Sequence, residues 1–414
     1  MRSGNRVHGA LAVTLLARQG PQSISGFLEQ QRLVPMQNIK LAKATLQVVS
    51  QLGGRQNHAQ QFSGWRGIAR RGRCSDRAKL TRFRLLLPAR APCLNTEKLP
   101  MPPNIRLIGA PTDIGAGSRG ASMGPEAMRV AQLMPTLQAQ GLTVSDHGNL
   151  SGPANPWQAP VDGYRHLPEV AVWNEAVHHA VFAALQEGDL PILLGGDHCL
   201  GIGSISAVAR HCRATGRALR VLWLDAHADF NTNTLTPTGN THGMPVAVLC
   251  GYGPEVLTRI GGTVPAIDSS VIRQIGIRSV DAGEKHLVHQ VGLEVFDMRF
   301  IDEMGMRHTV QTALEGLTPD THLHVSFDVD FLDASIAPGV ATAVRGGPTY
   351  REAQLCMEMI ADTGLLGSLD VMELNPALDV RNGTAELAVD LIESLFGKST
   401  LMRRPPVGSA SREG

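Results

Sequence analysis

An α/β fold with a parallel sheet covered by helices on both faces is predicted from three observations. Short aliphatic runs that read as strands begin at residue 105 and recur along the chain. Segments with helical amphipathic spacing lie between them. Clusters of Gly, Asp and His follow the ends of several runs, where a parallel sheet carries its binding loops.

The first strand is Ile-Arg-Leu-Ile-Gly at 105–109. A helix is expected at 175–186, a strand at 191–194, a helix at 203–213 and a strand at 219–224. Strands follow at 271–277 and 322–327, then a helix at 350–363, a strand at 367–374 and a helix at 384–396. Strand and helix alternate without an internal repeat, the pattern of parallel strands joined by helical crossovers.

The chain has 414 residues, enough for one large α/β domain or two ordinary ones, and its 43% hydrophobic content allows a sizeable core. The net charge of +1 hides two compositions. Residues 1–103 hold 17 Lys and Arg against 3 Asp and Glu, whereas the remainder holds 21 against 34. We read 1–103 as a basic, disordered or non-native extension: a disordered segment, a cleaved transit-type segment, or upstream sequence translated from an early start with Met101 near the true beginning. Nucleic-acid binding is not expected, since only Phe27, Phe62, Trp65 and Phe83 supply aromatics there. The working domain is expected at 104–402 and a flexible tail at 403–414.

Six cysteines without CxxC pairing point to a reduced, cytoplasmic setting. No apolar stretch reaches eighteen residues, so no membrane span is expected. The short apolar run at 10–17 lacks a convincing cleavage site and is not read as a secretion signal.

Three motifs carry chemistry: Gly-Gly-Asp-His at 195–198, Asp-Ala-His-Ala-Asp at 225–229 and Ser-Phe-Asp-Val-Asp at 326–330. Together they offer His198, His227, Asp225, Asp229, Asp328 and Asp330. If strand geometry continues past 224, side chains at i, i+2 and i+4 share a face and converge. The paired glycines are expected to let the chain turn tightly before His198. An Asp-x-Asp alone is commonly a helix cap, and a single His after Gly-Gly is commonly structural. The joint set is not explained that way. Four carboxylates packed together repel unless cations lie between them. An oxygen-rich set with imidazoles and no thiolate suits Mn²⁺, with Fe²⁺ or Co²⁺ as substitutes, rather than a single tetrahedral zinc. Two such ions roughly 3.5–4 Å apart can share a water and make it hydroxide near neutrality.

These residues resemble the ureohydrolase family, and within it the bacterial arginases. The resemblance spans 104–401. Its further motifs are Gly-Ala-Pro-Thr-Asp at 109–113, Gly-Ala-Gly at 115–117, Met-Gly-Pro at 123–125, His-Gly-Met-Pro at 242–245 and Met-Glu-Leu-Asn-Pro at 372–376. It implies a three-layer α/β/α fold with a largely parallel sheet of about eight strands, as in arginases and deacetylases, assembled as a homotrimer or homohexamer. It implies two manganese ions per chain, one on His198, Asp225, Asp229 and Asp328 and the other on Asp225, His227, Asp328 and Asp330. The implied reaction is hydrolysis of L-arginine to L-ornithine and urea by a metal-bridging hydroxide. Agmatine or another guanidino compound is the alternative substrate.

A guanidinium carbon is a poor electrophile, so attack needs a strong nucleophile held close. Asp229 is suited to hydrogen-bond that nucleophile, Glu373 to pair with the guanidinium, and His242 to pass a proton to the leaving amine. The resemblance implies that Asn231 and the Thr238 hydroxyl bind the substrate carboxylate and that Asp281 meets the α-amino group with help from Glu284. Asn240 and Thr342 complete the expected substrate residues. Cys199, Ala341, Ala343 and Pro348 depart from the family pattern on the substrate side but leave the proposed ligands intact. His166, His178, His179, His286 and His289 match no ligand spacing and are expected on the surface or on helices.

Overall fold

The structure, a computed structural model, describes residues 104–401. The readings made for 1–103, and the tail at 403–414, lie outside the described residues.

Eight strands form one sheet. They are β1 (Ile105–Gly109), β2 (Val144–Asn149), β3 (Leu190–Leu194), β4 (Ala218–Leu224), β5 (Ile272–Ile277), β6 (Glu294–Asp297), β7 (Thr321–Asp328) and β8 (Leu366–Met372). Their spatial order is β2-β1-β3-β8-β7-β4-β5-β6, and every neighbouring pair is parallel. The last strand in sequence, β8, therefore lies in the middle of the sheet.

One face is covered by α1 (Gly124–Val130), α2 (Leu133–Ala139), α8 (Met298–Met304), α9 (Met306–Ala313), α10 (Tyr350–Ala361) and α11 (Gly383–Leu395). Their apolar residues, such as Met128, Val310, Ile360 and Ile392, share one buried cluster with Leu107, Val325 and Leu369 of the sheet. The other face carries α3 (Leu167–Gln186), α4 (Gly201–Thr215), α5 (Pro245–Leu249), α6 (Glu255–Thr258) and α7 (Ala282–Val291). This is the expected three-layer α/β/α architecture. No helix among the described residues is long and apolar enough to cross a membrane.

The central strands and long helices fall where their patterns predict, except that α3 begins at Leu167, ahead of the expected 175. The strands β2 and β6 were not read from the sequence because they form the two edges. Most of β2 is exposed and its sequence, Val-Ser-Asp-His-Gly-Asn, has no apolar run. β6 is only four residues long. A buried face leaves an apolar signature, and an edge strand needs less of one.

Candidate metal centre and substrate pocket

Four adjacent strands, β3, β8, β7 and β4, end on the same side of the sheet, with β5 beside them. His198 follows β3, Asp225 follows β4, Asp281 follows β5, Asp328 closes β7 and Glu373 follows β8. The motifs far apart in sequence thus meet at one place, as expected beyond the carboxyl ends of a parallel sheet.

Their convergence has a different cause from the extended alternation predicted. β4 stops at Leu224, His227 forms an isolated bridge with Ser279, and Asp229 takes a left-handed φ of 49°. Asp330 lies in a 3-10 turn, Val329–Phe331, capped by Asp328. Asp225 Oδ1 accepts the His227 backbone N–H at 2.7 Å, and Asp328 Oδ1 accepts that of Asp330 at 2.7 Å. Each leading aspartate therefore folds its own motif into a turn. A strand advances about 3.3 Å per residue, so continued extension would carry the later ligands away from the centre.

The Gly-Gly pair also acts otherwise than predicted. Neither glycine has a positive φ. A Cβ on Gly196 would overlap the Thr112 carbonyl, and one on Gly195 the Met372 sulfur. Close approach of neighbouring segments is what excludes a side chain here.

Two ligand clusters share Asp225: His198, Asp225 and Asp229 in one, Asp225, His227 and Asp330 in the other. Asp225 Oδ2 lies 3.1 Å from His198 Nδ1 while its Oδ1 lies 3.5 Å from His227 Nδ1. His198 Nδ1 is also 3.4 Å from Asp229 Oδ2 and 3.0 Å from Asp328 Oδ2. His227 Nδ1 is 3.1 Å from Asp330 Oδ2. Asp328 thus faces the centre through Oδ2 while its Oδ1 accepts the Asp330 amide, as Asp225 Oδ1 accepts that of His227. All six side chains predicted as ligands are brought together. Such a centre, with one carboxylate divided between two groups of donors, is consistent with a binuclear metal site.

The electrostatics fit the same reading. Burial, then the neighbouring Asp225 charge, pushes the Asp229 carboxyl well above the usual range. Burial with Asp330 and Asp225 does the same to Asp328. Burial disfavours charge on Asp225 too, but His198 and His227 hold it below the usual carboxylate range. Burial opposes charge on the histidines, yet the surrounding carboxylates raise His198 to about 9 and His227 to about 12. Four buried carboxylates in contact demand compensating positive charge, which divalent cations supply.

The supporting contacts include residues the sequence reading missed. The His198 ring stacks on Trp223, with centroids 4.0 Å apart, and its Nε2 is 2.9 Å from Ser326 Oγ. Trp223 Nε1 donates to Asp225 Oδ2 at 2.9 Å. Trp223 reads as strand core in sequence. The signal available was position, two residues before an aspartate on the same strand face, and an indole N–H that needs an acceptor when buried.

A pocket of about 270 Å³ opens beside the clusters, and its walls include His227, Asp229, Asn231, Thr238, Asn240, His242, Asp281, Glu284, Thr342 and Glu373. Glu373, at a left-handed φ of 64°, accepts through Oε1 from the His198 backbone at 2.8 Å and pairs there with His242 Nδ1 at 2.9 Å. Its Oε2 is buried without a protein partner. Burial counters it, but Glu373 raises the His242 pKa. Asn231 Nδ2 donates to Asp281 Oδ2 at 3.0 Å, and Asn231 Oδ1 is buried without a partner. Thr238 Oγ1 accepts the Asn240 N–H at 3.2 Å.

Glu284 and Thr342 direct their side-chain oxygens at protein groups. Glu284 accepts the backbone N–H of Phe230 at 2.8 Å and of Asp281 at 3.0 Å, so both oxygens brace the pocket wall. Thr342 Oγ1 donates to Asp330 Oδ2 at 2.9 Å. Among the other histidines, His166 is neither exposed nor helical: it is buried ahead of α3, with Nδ1 2.8 Å from the Ile114 carbonyl. His178 lies on α3 but is buried.

With the geometry in place, comparison with known proteins is decisive. The sequence profile described as the Arginase family matches residues 103–397. The chain belongs to the arginase family. Among this family's members it is 43% identical to arginase from Brucella melitensis over 310 residues, covering 73% of this chain and 98% of that protein. It is 40% identical to arginase from Brevibacillus brevis over 299 residues, covering 72% and 99% of the two chains. The crystal structure of arginase from Bacillus caldovelox superposes with a TM-score of 0.68 at 40% identity, covering 72% of this chain and all 100% of that one. The arginase-family match leaves residues before 103 outside it.

Proposed function

We propose that this chain hydrolyses L-arginine to L-ornithine and urea. The observation that carries the reading is Glu373 Oε2, a buried carboxylate oxygen without a protein donor at the edge of the two-cluster centre. A buried anionic acceptor left open suits a cationic, multi-donor group, and a guanidinium is planar and carries several N–H groups. Arginases among the relatives support the same substrate.

Two Mn²⁺ ions suit the donor set, one on His198, Asp225, Asp229 and Asp328 and the other on Asp225, His227, Asp328 and Asp330. When bound, they supply an activated water near neutral pH and neutralise the clustered carboxylates.

The chain's own residues do the remainder. Glu373 orients the guanidinium so that its carbon faces the clusters. Asp229 accepts a hydrogen bond from the attacking water and aligns it. Oxygen bonds to the guanidinium carbon as the water passes a proton to Asp229, the bond from that carbon to the side-chain nitrogen breaks as that nitrogen takes a proton, and the hydroxyl left on carbon releases its proton to give urea. His242, charged more readily because of Glu373, is the donor of the proton that the leaving nitrogen takes. Asp281 and the open Asn231 Oδ1 suit the α-ammonium group. The second N–H of Asn231 Nδ2, the Thr238 hydroxyl and Asn240 suit the α-carboxylate. Glu284 and Thr342 act by bracing Asp281 and Asp330.

The reading further takes 104–402 as the catalytic domain, the assembly as a homotrimer or homohexamer, and the compartment as cytoplasmic, in line with the family resemblance. Agmatine is the competing substrate, sharing the guanidinium and lacking the carboxylate. Steady-state assay of the Mn²⁺-loaded protein on both compounds decides between them. Arginine is expected to be preferred by at least roughly tenfold, and a tenfold preference for agmatine overturns the assignment.

A further inference from the structure

We infer that Arg165, outside the pocket, sets the specificity of the substrate-carboxylate end by fixing the orientation of the Asn240 amide. This inference rests on the reading of arginine as substrate. Arg165 Nε donates to Asn240 Oδ1 at 2.6 Å, and its Nη1 donates to the Gln158 carbonyl at 3.0 Å. An arginine has only donors, so the atom it meets must be the amide oxygen. Asn240 lines the pocket, and among the described residues its Nδ2 meets no protein acceptor. With the oxygen held, the amide can offer a ligand only N–H. That suits a carboxylate and is of no use to a substrate lacking one.

The segment that carries Arg165 is itself held in place. The Arg165 backbone N–H reaches the Gly239 carbonyl at 2.8 Å, tying the segment before α3 to the pocket rim. Asn233 Nδ2 reaches the Asp162 carbonyl at 3.1 Å, a second tie between the same segments. The Gln158 N–H donates to His166 Nε2 at 2.9 Å, and His166 Nδ1 lies 2.8 Å from the Ile114 carbonyl. Arg165 thus stands on a braced loop. Without it the Asn240 amide can rotate and present its oxygen, which repels a carboxylate. Arg165 is a positioning residue: it acts on substrate through Asn240.

The test measures KM and kcat for arginine and agmatine in the wild type, R165M, R165K, N240A and R165M/N240A. R165M is expected to raise KM for arginine about tenfold with kcat within about twofold, and to leave agmatine kinetics unchanged. R165K restores part of the loss, since one ammonium holds Asn240 Oδ1 less rigidly than a fork that also holds Gln158. On the N240A background, R165M should add no further loss. Additive effects of R165M and N240A, a fall in kcat at unchanged KM, or equal losses on arginine and agmatine overturn the inference. Should R165M fail to fold, R165K decides alone: a wild-type KM and arginine-to-agmatine ratio overturns it. Wild-type protein that turns over no arginine refutes the function itself, whereas arginine turnover unaffected by the Arg165 variants refutes only this role.

Discussion

Trp223 lies flat beneath His198, with ring planes 7° from parallel, and its indole N–H reaches Asp225 at 2.9 Å. One buried side chain therefore orients ligands from two different strands. W223F keeps an aromatic face for the imidazole and removes the hydrogen bond. Supporting contacts of this kind are commonly worth 10–100-fold in metal affinity. W223F should bind Mn²⁺ about tenfold more weakly in a competition titration. Unchanged affinity would show that the N–H is not used.

Asp225 divides its two oxygens between the clusters, whereas Asp330 serves only one. D330N should bind close to one cation per chain and D225N close to none, against two in the wild type. Elemental analysis of dialysed protein reads this directly. Chelation of the wild type should also lower its thermal midpoint, because cations that bind only the folded state stabilise it by mass action. Equal stoichiometry in D330N and D225N would contradict the sharing.

Glu373 touches His198, His242 and the pocket through one carboxylate. E373Q preserves an acceptor for the His198 amide but removes the charge offered to a guanidinium. kcat/KM for arginine should fall on the order of 10³-fold. Circular dichroism should remain that of the wild type. A loss under about fivefold would remove Glu373 from the reaction.

His322 gives a pH prediction away from the centre. Burial, with His324, Arg217 and His211 adding to it, lowers its pKa from 6.5 to about 3. The folded value is depressed, so the unfolded chain takes up this proton first as pH falls. The stability that His322 contributes is complete above about pH 6.5 and is lost progressively toward pH 3. H322Q keeps a group able to bond Ser368, which His322 Nε2 meets at 2.9 Å, and does not titrate. Between pH 7 and 5 the wild type should lose about 2 kcal/mol more stability than H322Q in urea unfolding. Parallel losses would mean that His322 titrates normally.

How far these features could be read in advance depended on where their causes lie. Buried strands such as β3 and β4 advertise themselves by aliphatic runs, and the ligands cluster in three short motifs. The ligand set was legible because coordination chemistry restricts residue types. Backbone form was less so. Extended geometry was expected after Leu224, but the carboxylates of Asp225 and Asp328 close turns whose hydrogen bonds leave no periodicity to detect. Glu284 is expected to help Asp281, but the form of that help, bonds to the backbone amides of Phe230 and Asp281, 54 and 3 positions away, has no sequence signal. A sequence shows a carboxylate, not which N–H will claim it. The same holds for Trp223, whose role exists only once β3 and β4 have been placed in one sheet.

The placement of β8 between β3 and β7 has a consequence for how the molecule is made. Until β8 is made, β1 to β3 and β4 to β7 can pair only as two separate groups, each with an open edge. Only the final strand joins them, and it also delivers Glu373 to the centre. A nascent polypeptide ending before residue 366 thus exposes two unpaired strand edges, the kind of surface that recruits chaperones or aggregates. Tethering a split C-terminal fragment that carries β8 and α11 should rescue such a truncation, closing the sheet as a missing wedge would.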